Sequence, residues 1–273
     1  MTDIDLFRNQ VFNEDVLDLL GRLPSQSIDC AFADPDYNVG VQYNERSYNR
    51  KHQEYIDWCI EWTSETLRTM KEDANLFIIN YPKNNAYLRV EYLDDHAHQV
   101  HEYVWVYNSN VGHGDNHFTT AHRTILHVTK SRRNRFFKDQ VAEPYKNPTD
   151  HRIRENLRHG SRGRMPYSWM YYDLVKNVSR EKTFHSCQIP QALSEKLILA
   201  STRPGDMVLV LFGGSGAELE VCKRNHRDFV SAEIDEKYHK MIIDRLTSGG
   251  IADQWRLPVQ LKHLPPNQQK LAI

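Results

Sequence analysis

Apolar residues recur along this chain in two rhythms, and their alternation predicts a sheet interleaved with helices. Short apolar runs bounded by polar residues read as buried strands at 10–13, 27–32, 74–80, 99–107, 124–129, 207–212 and 229–232. Residues 207–212 are apolar without a break, as a central parallel strand covered on both faces requires. Apolar residues at helical spacing fill the gaps between these runs. One helix is expected at 16–22, behind the capping sequence Asn13-Glu14-Asp15. A second spans 55–70, with Ile56, Cys59, Ile60, Trp62 and Leu67 among its apolar residues. Others are expected at 84–96, 191–201, 217–225 and 236–247, the last stopped by Ser248-Gly249-Gly250. Such alternation implies an α/β fold.

Two stretches break the rhythm. Residues 38–53 are polar and rich in Tyr, Asn and Arg, which predicts a loop with few anchors in the core. It is either a lid or DNA-contacting loop, or an idle surface segment. Residues 131–164 carry Arg132, Arg133, Arg135, Lys138, Lys146, Arg152, Arg154, Arg158, Arg162 and Arg164 against only Asp139, Glu143, Asp150 and Glu155. A solvated loop is one reading. The other is nucleic-acid contact, because arginine grips phosphates and guanine edges in bidentate fashion. Beyond residue 247 the chain is mostly polar, with Pro265-Pro266, and reads as a surface strap.

Composition narrows the class. The 273 residues allow one large α/β domain or two small ones. A net charge of −1 means that any affinity for nucleic acid must come from local clustering. No apolar run is long enough to span a bilayer, and residues 1–8, with Asp3 and Asp5, lack a signal-like core; a cytoplasmic protein without a membrane partner is expected. Cys30, Cys59, Cys187 and Cys222 are scattered, which fits reduced thiols better than disulfides or a zinc site. His96, His98, His101, His113 and His117 could be imagined as metal ligands. No cysteine lies nearby and Asp94, Asp95 and Asp115 complete no ligand spacing, so exposed polar histidines and no metal are expected.

Candidate chemistry sits at two strand ends. The strand at 27–32 runs into Ala33-Asp34-Pro35-Asp36-Tyr37-Asn38, where a carboxylate, a proline and an aromatic ring would form a pocket lip. Strand-end Asp-Pro is also an ordinary turn. In open α/β sheets, however, the carboxyl edge is where ligands bind. The strand at 207–212 runs into Gly213-Gly214-Ser215-Gly216 and a helix, and Glu233 ends the next strand, 17 residues after Gly216. Strand, glycine turn, helix, strand and acid make a nucleotide-binding unit, the acid accepting from both ribose hydroxyls. NAD could use the same geometry, but Leu219 fills the third glycine position of the dinucleotide fingerprint.

Together these motifs resemble the amino-directed DNA methyltransferases. Asp34-Pro35-Asp36-Tyr37 is similar to their Asp-Pro-Pro-Tyr motif, Phe212-Gly213-Gly214-Ser215-Gly216 to their S-adenosylmethionine motif, and His185 to Pro190 to the segment preceding it. Catalytic motif first, variable region in the middle and cofactor motif last is the circularly permuted order of the β class. The resemblance implies a Rossmann-like sheet of seven strands flanked by helices, with a small inserted recognition region. It divides the chain into a catalytic half at 1–130, an Arg-rich target-recognition region at 131–180, a cofactor-binding half at 181–247 and a tail at 248–273.

By the same resemblance Asp34, Pro35 and Tyr37 are catalytic. The Asp34 carboxylate and the Pro35 carbonyl would accept the amine hydrogens of an extruded base, on which Tyr37 would stack. Asp15, Asp34, Phe212, Gly213, Gly214, Ser215, Gly216 and Glu233 would bind S-adenosylmethionine. Asp36, Asn38, Arg132, Arg133, Arg135, Arg162 and Arg164 would face double-stranded DNA. An Asp at the first motif position favours adenine N6 over cytosine N4; a non-catalytic or altered-cofactor nucleic-acid-binding relative and a homodimer stay open. The chain departs from the family at Val210, Leu211, Cys187, Ile189, Ala217 and Glu218, losing hydroxyls and gaining a carboxylate. Asp36 replaces a proline, either loosening the lip or adding an acceptor.

Overall fold

The computed structural model describes residues 3–40, 49–108, 115–176, 179 and 181–256, with the backbone of 42–43 and 46–47. Strand β1 (Gln10–Phe12) leads to α1 (Val16–Arg22), β2 (Ile28–Ala33) and a small hairpin, β3 (Gln42–Tyr43) with β4 (Arg46–Ser47). Then follow α2 (His52–Thr69), β5 (Met70–Asn80), α3 (Pro82–Leu88), α4 (Asp94–His96), β6 (Gln99–Val106) and β7 (His122–Thr129). The Arg-rich stretch holds α5 (Lys138–Val141) and α6 (His151–Arg158) before β8 (Trp169–Tyr171). The last part is α7 (Gln191–Ser201), β9 (Met207–Val210), α8 (Ala217–Arg224), β10 (Asp228–Ala232) and α9 (Glu236–Ser248).

One sheet runs through the molecule in the order β1-β10-β9-β2-β5-β7-β6-β8. Strands β1, β10, β9, β2 and β5 are mutually parallel, and β7 is antiparallel to both its neighbours. The sheet has eight strands, not the expected seven, because Trp169–Tyr171 adds to the free edge of β6. The strand bearing Asp34 and the strand before the glycine turn lie side by side, with Cys30 opposite Val208 and Phe32 opposite Val210. They are far apart in sequence, yet their ends share one edge.

Successive β2 side chains point to opposite faces, and both faces are buried. Ala31 and Ala33 belong to the core under α1 and α2, with Leu19, Leu20, Trp62, Leu76 and Leu209. Cys30 and Phe32 belong to the core under α7, α8 and α9, with Leu193, Ile198, Leu219 and Ile242. Burial on both faces explains why these strands read as continuous apolar runs.

One further expectation is corrected. The helix expected at 84–96 is interrupted by a π-helical turn at Arg89–Leu93. Leu88 and Leu93 are both buried, and the wider turn brings residues five apart onto one face. His127 sits inside the sheet on β7, 2% exposed. Its Nε2 meets the Asn75 Oδ1 at 2.7 Å and its Nδ1 the Tyr103 hydroxyl at 2.9 Å. The amide oxygen can only accept, so Nε2 carries the proton. Burial, reinforced by His101, pulls the His127 pKa down to about 4 and keeps the ring neutral.

Candidate active site

The carboxyl edge of the parallel strands opens into a cleft of about 1130 Å³, including its mouth. Asp34 and Pro35 form one wall, Phe212 to Ser215 the floor, and Glu233 with Asp15 the far side. Thus the structure brings together the two motifs that are nearly two hundred residues apart in the chain.

The glycine turn is built for close approach. Gly214 and Gly216 have φ of +52° and +72°, the left-handed region that favours glycine. A Cβ on Gly213 would lie 2.8 Å from Ile242, and one on Gly214 would lie 3.3 Å from the His185 ring. Glu233 braces the turn: its Oε2 accepts from the Gly214 N–H at 2.7 Å and its Oε1 from the Asp235 N–H at 2.8 Å. A carboxylate oxygen has two lone pairs and can accept from more than one donor. Asp15 caps α1, accepting from the Leu17 N–H at 2.9 Å, while also lining the cleft. Phe212 packs against Trp58 and Trp62, each with ring centroids 5.6 Å away.

The lip around Asp34 is braced from below. The Asp36 carbonyl accepts from the Tyr55 hydroxyl at 2.6 Å, and the Asn80 amide donates to that hydroxyl at 2.9 Å. Asn84 donates to the Tyr37 carbonyl at 3.1 Å and to Asn80 at 2.9 Å. This Tyr55–Asn80–Asn84 network escaped sequence reasoning, because its members lie on α2, β5 and α3 and no local motif joins them. The Asp36 side chain pairs with Arg50 at 3.5 Å, and the Arg50 guanidinium lies 4.5 Å above the Trp58 ring. Asn38 exchanges two hydrogen bonds with the Arg50 backbone, at 2.9 and 2.7 Å. Asp36 and Asn38 therefore close the base of the polar loop, and Asp36 with Arg50 also lines the cleft.

Tyr37 is also placed differently from its expected stacking position. It is 5% exposed, sits edge-on to Tyr81 at 5.3 Å, and its hydroxyl donates to Asp34 Oδ1 at 2.6 Å. Arg123, buried on β7, lies over Tyr37, Tyr81 and Tyr107 at 5.2, 3.7 and 5.5 Å and donates to the Tyr81 and Tyr107 hydroxyls. Burial holds the Asp34 carboxyl well above the usual range; the Tyr37 bond opposes this, neighbouring Glu218 adds to it, and Arg123 opposes it.

The arginines divide. Arg135 is a correction: it is not a free recognition residue but bridges Asp29 and Asp206, each at 2.7 Å, at the amino ends of β2 and β9. Its neighbours Arg132 and Arg133 are exposed at that same end, since the Ser131 hydroxyl donates to the Glu72 carbonyl near the start of β5. None of the three is brought to the cleft. Arg164 pairs with Glu143 and lies 4.1 Å over the Tyr167 ring, and Arg162 is exposed. Tyr167 stacks on Trp169, and with Tyr171 these rings form an exposed aromatic stripe along edge strand β8.

A family model described as DNA methylase, for N6 and N4 enzymes, matches residues 28–244. The chain belongs to this family. As a DNA methylase it is an amino-methyltransferase acting on adenine N6 or cytosine N4. It is 27% identical over 241 residues to the DNA adenine methyltransferase YhdJ of Escherichia coli K12, covering 86% of this chain and 82% of that one. It is 29% identical over 231 residues to the type II methyltransferase M.HpaI of Haemophilus parainfluenzae, covering 84% and 71%. Its fold is similar to that of the cytosine-N4-specific PvuII DNA methyltransferase, with a TM-score of 0.67 at 16% identity over 97% and 91% of the two chains. The methylase fold thus accounts for the cleft at the carboxyl edge.

Proposed function

We propose that this methylase transfers a methyl group from S-adenosylmethionine to the exocyclic N6 of an adenine extruded from double-stranded DNA. The observation that carries the reading is the meeting of Asp34 with Gly213, Gly214 and Ser215 of the glycine turn and with Glu233 in one cleft, Gly216 standing behind it at the start of α8. The crowded glycine turn and the bracing Glu233 suit an adenosine, and the acidic lining suits a cation, so the residues fit S-adenosylmethionine. When bound, that cofactor supplies an electrophilic methyl group.

The rest is the work of this chain. An exocyclic amine is a poor nucleophile because its lone pair is delocalised into the ring. The Asp34 carboxylate and the Pro35 carbonyl each accept one amine hydrogen and favour the tetrahedral nitrogen. Tyr37 is a positioning residue that orients Asp34 through its hydroxyl. Holding nitrogen and methyl in line supplies much of the acceleration. Adenine is favoured because the first motif residue is Asp, which the resemblance associates with N6 chemistry. Contact with the duplex falls to exposed Arg162 and to the aromatic edge at Tyr167, Trp169 and Tyr171. The β8 edge lies four strands from Asp34, roughly 19 Å at ordinary strand spacing, so it can touch DNA flanking the extruded base.

The test is mass spectrometry of nucleosides from DNA incubated with the protein and S-adenosylmethionine. N6-methyladenine is expected. N4-methylcytosine would overturn the base assignment, and unmodified DNA would overturn the activity.

A further inference from the structure

Seven carboxylates line the cleft against one guanidinium, that of Arg50. Five are already engaged. Asp36 pairs with Arg50, Glu14 with Arg22, Glu233 accepts two backbone N–H groups, and Asp15 and Asp235 cap helices. Asp34 accepts from Tyr37, and its outward role is to hold the target amine. Glu218 remains. It sits in the first turn of α8, is 6% exposed, and faces the cleft beside Asp34. Among the described residues no side chain donates a hydrogen bond to it and no cation lies within ion-pair distance. Arg245, the nearest cation, is spent on Glu220 at 2.5 Å and on the Ser215 carbonyl at 2.8 Å.

A buried carboxylate without a counter-charge is costly unless a ligand supplies one. We propose that Glu218 is the counter-ion of the cofactor's sulfonium centre, and so sets the preference for the charged methyl donor over its uncharged, demethylated product. This rests on the methyl-transfer reading above. It follows from position: Asp34 must hold the amine within reach of the methyl group, and Glu218 is close enough to Asp34 for the two charges to be felt. Loss of the positive charge on transfer leaves Glu218 without a partner again, which favours release of the thioether product.

Binding of the cation is then coupled to a proton. Burial pushes the Glu218 carboxyl up to about 7, with its own backbone N–H and Arg245 opposing. The groups near it are Asp34 from the end of β2, Arg245 from α9, Cys222 one turn on in α8, whose thiol burial keeps protonated, and His185 and Glu233, which line the same cleft. His185 is kept neutral by burial, its pKa pulled down to about 4, so it does not titrate near neutrality. Burial also raises the Asp34 carboxyl and Glu218 adds to this, so the variants at 218 are compared with the wild type at each pH.

The experiment is calorimetric titration of the full-length wild type, Glu218→Gln and Glu218→Thr with S-adenosylmethionine and, separately, with S-adenosylhomocysteine, at pH 6 and pH 8 and without DNA. In the wild type, the preference for the sulfonium compound rises with pH. In both variants it falls about tenfold at pH 8, the scale of one charge contact, while affinity for the thioether stays within about twofold. Equal weakening of both ligands, or no change in either, overturns the role of Glu218 and leaves the methyl-transfer reading standing. Failure of the wild type to bind either ligand overturns both.

Discussion

The Tyr37 hydroxyl donates to Asp34 Oδ1 at 2.6 Å, so the aromatic ring of the Asp34–Tyr37 stretch acts on its carboxylate rather than lining the cleft. Burial raises the Asp34 pKa and this bond lowers it. Tyr37→Phe removes the bond, so the carboxyl should protonate at still higher pH. The acid limb of kcat/KM against pH should move upward while the alkaline plateau is largely kept. Asp34→Asn should lower kcat by about a hundred- to a thousandfold at every pH, as loss of a preorganised polar contact typically does. An unchanged acid limb in Tyr37→Phe would remove Tyr37 from the positioning role.

Asp36, Arg50 and Asn38 close the polar loop at its base. Asn38→Ala removes both hydrogen bonds to the Arg50 backbone, a local loss of about 1–3 kcal/mol. Hydrogen exchange at the amides of residues 38–50 should quicken by tenfold or more, with the sheet unaffected. Exchange that stays at the wild-type rate would mean that the loop is held elsewhere.

Gly214→Ala forces a Cβ onto a residue at φ +52° and to 3.3 Å from the His185 ring. The backbone strain is about 1–2 kcal/mol. Affinity for S-adenosylmethionine should fall at least about tenfold, while the circular dichroism spectrum stays that of a folded protein. Undiminished binding would show that the turn does not touch the cofactor.

Glu218 also sets a stability profile. Its pKa in the folded protein is raised to about 7 against an ordinary 4.5, so ionisation favours the unfolded chain. The penalty is absent below the unfolded value, grows between the two, and is complete above about pH 7, where it reaches about 3 kcal/mol. Glu218→Gln, neutral throughout, should raise Tm by several degrees at pH 8 and by little at pH 5. Equal Tm values at pH 8 would contradict the buried, uncompensated carboxylate.

Arg135 and the β8 edge should separate stability from DNA binding. Arg135→Met leaves Asp29 with Lys71 alone and removes the ion pair of Asp206, at a cost on the order of 2 kcal/mol. Tm should drop while DNA affinity per folded molecule is kept. Trp169→Ala should do the reverse, weakening DNA binding by roughly tenfold, since stacking on an exposed ring is worth about 1–3 kcal/mol per base. A fluorescence-anisotropy titration beside a melting curve distinguishes them.

The regular elements are largely legible in the sequence because their signals are local. Residues 16–22 and 191–201 carry their own apolar spacing, the first behind the Asp15 cap and the second behind Pro190, and both helices match the expected bounds. Asp34 and Glu233 are legible as strand-end acids, since the apolar runs before them fix where each strand stops. Pairings across the fold are not. Arg135 looks like its neighbours in a basic run, yet its partners Asp29 and Asp206 lie 106 and 71 residues away. Nothing near Asp36 announces Arg50, and nothing near Glu218 announces that its carboxylate turns into the cleft. Three-residue β8, with Trp169 and Tyr171 exposed, is too short and too open to stand out as a strand.

The pairing of β2 with β9 has a consequence for biosynthesis. A ribosome adding about 5–20 residues per second finishes the Asp34 strand roughly 10–35 s before it delivers the strand that lies against it. Through that interval the nascent chain carries an apolar β2 with one side unpaired, a surface that chaperones cover and proteases find. A message cut short before β9 therefore yields no half-strength methylase, only a sticky fragment: the cleft comes into being in a single late step, when the last third of the polypeptide slides in beside the first.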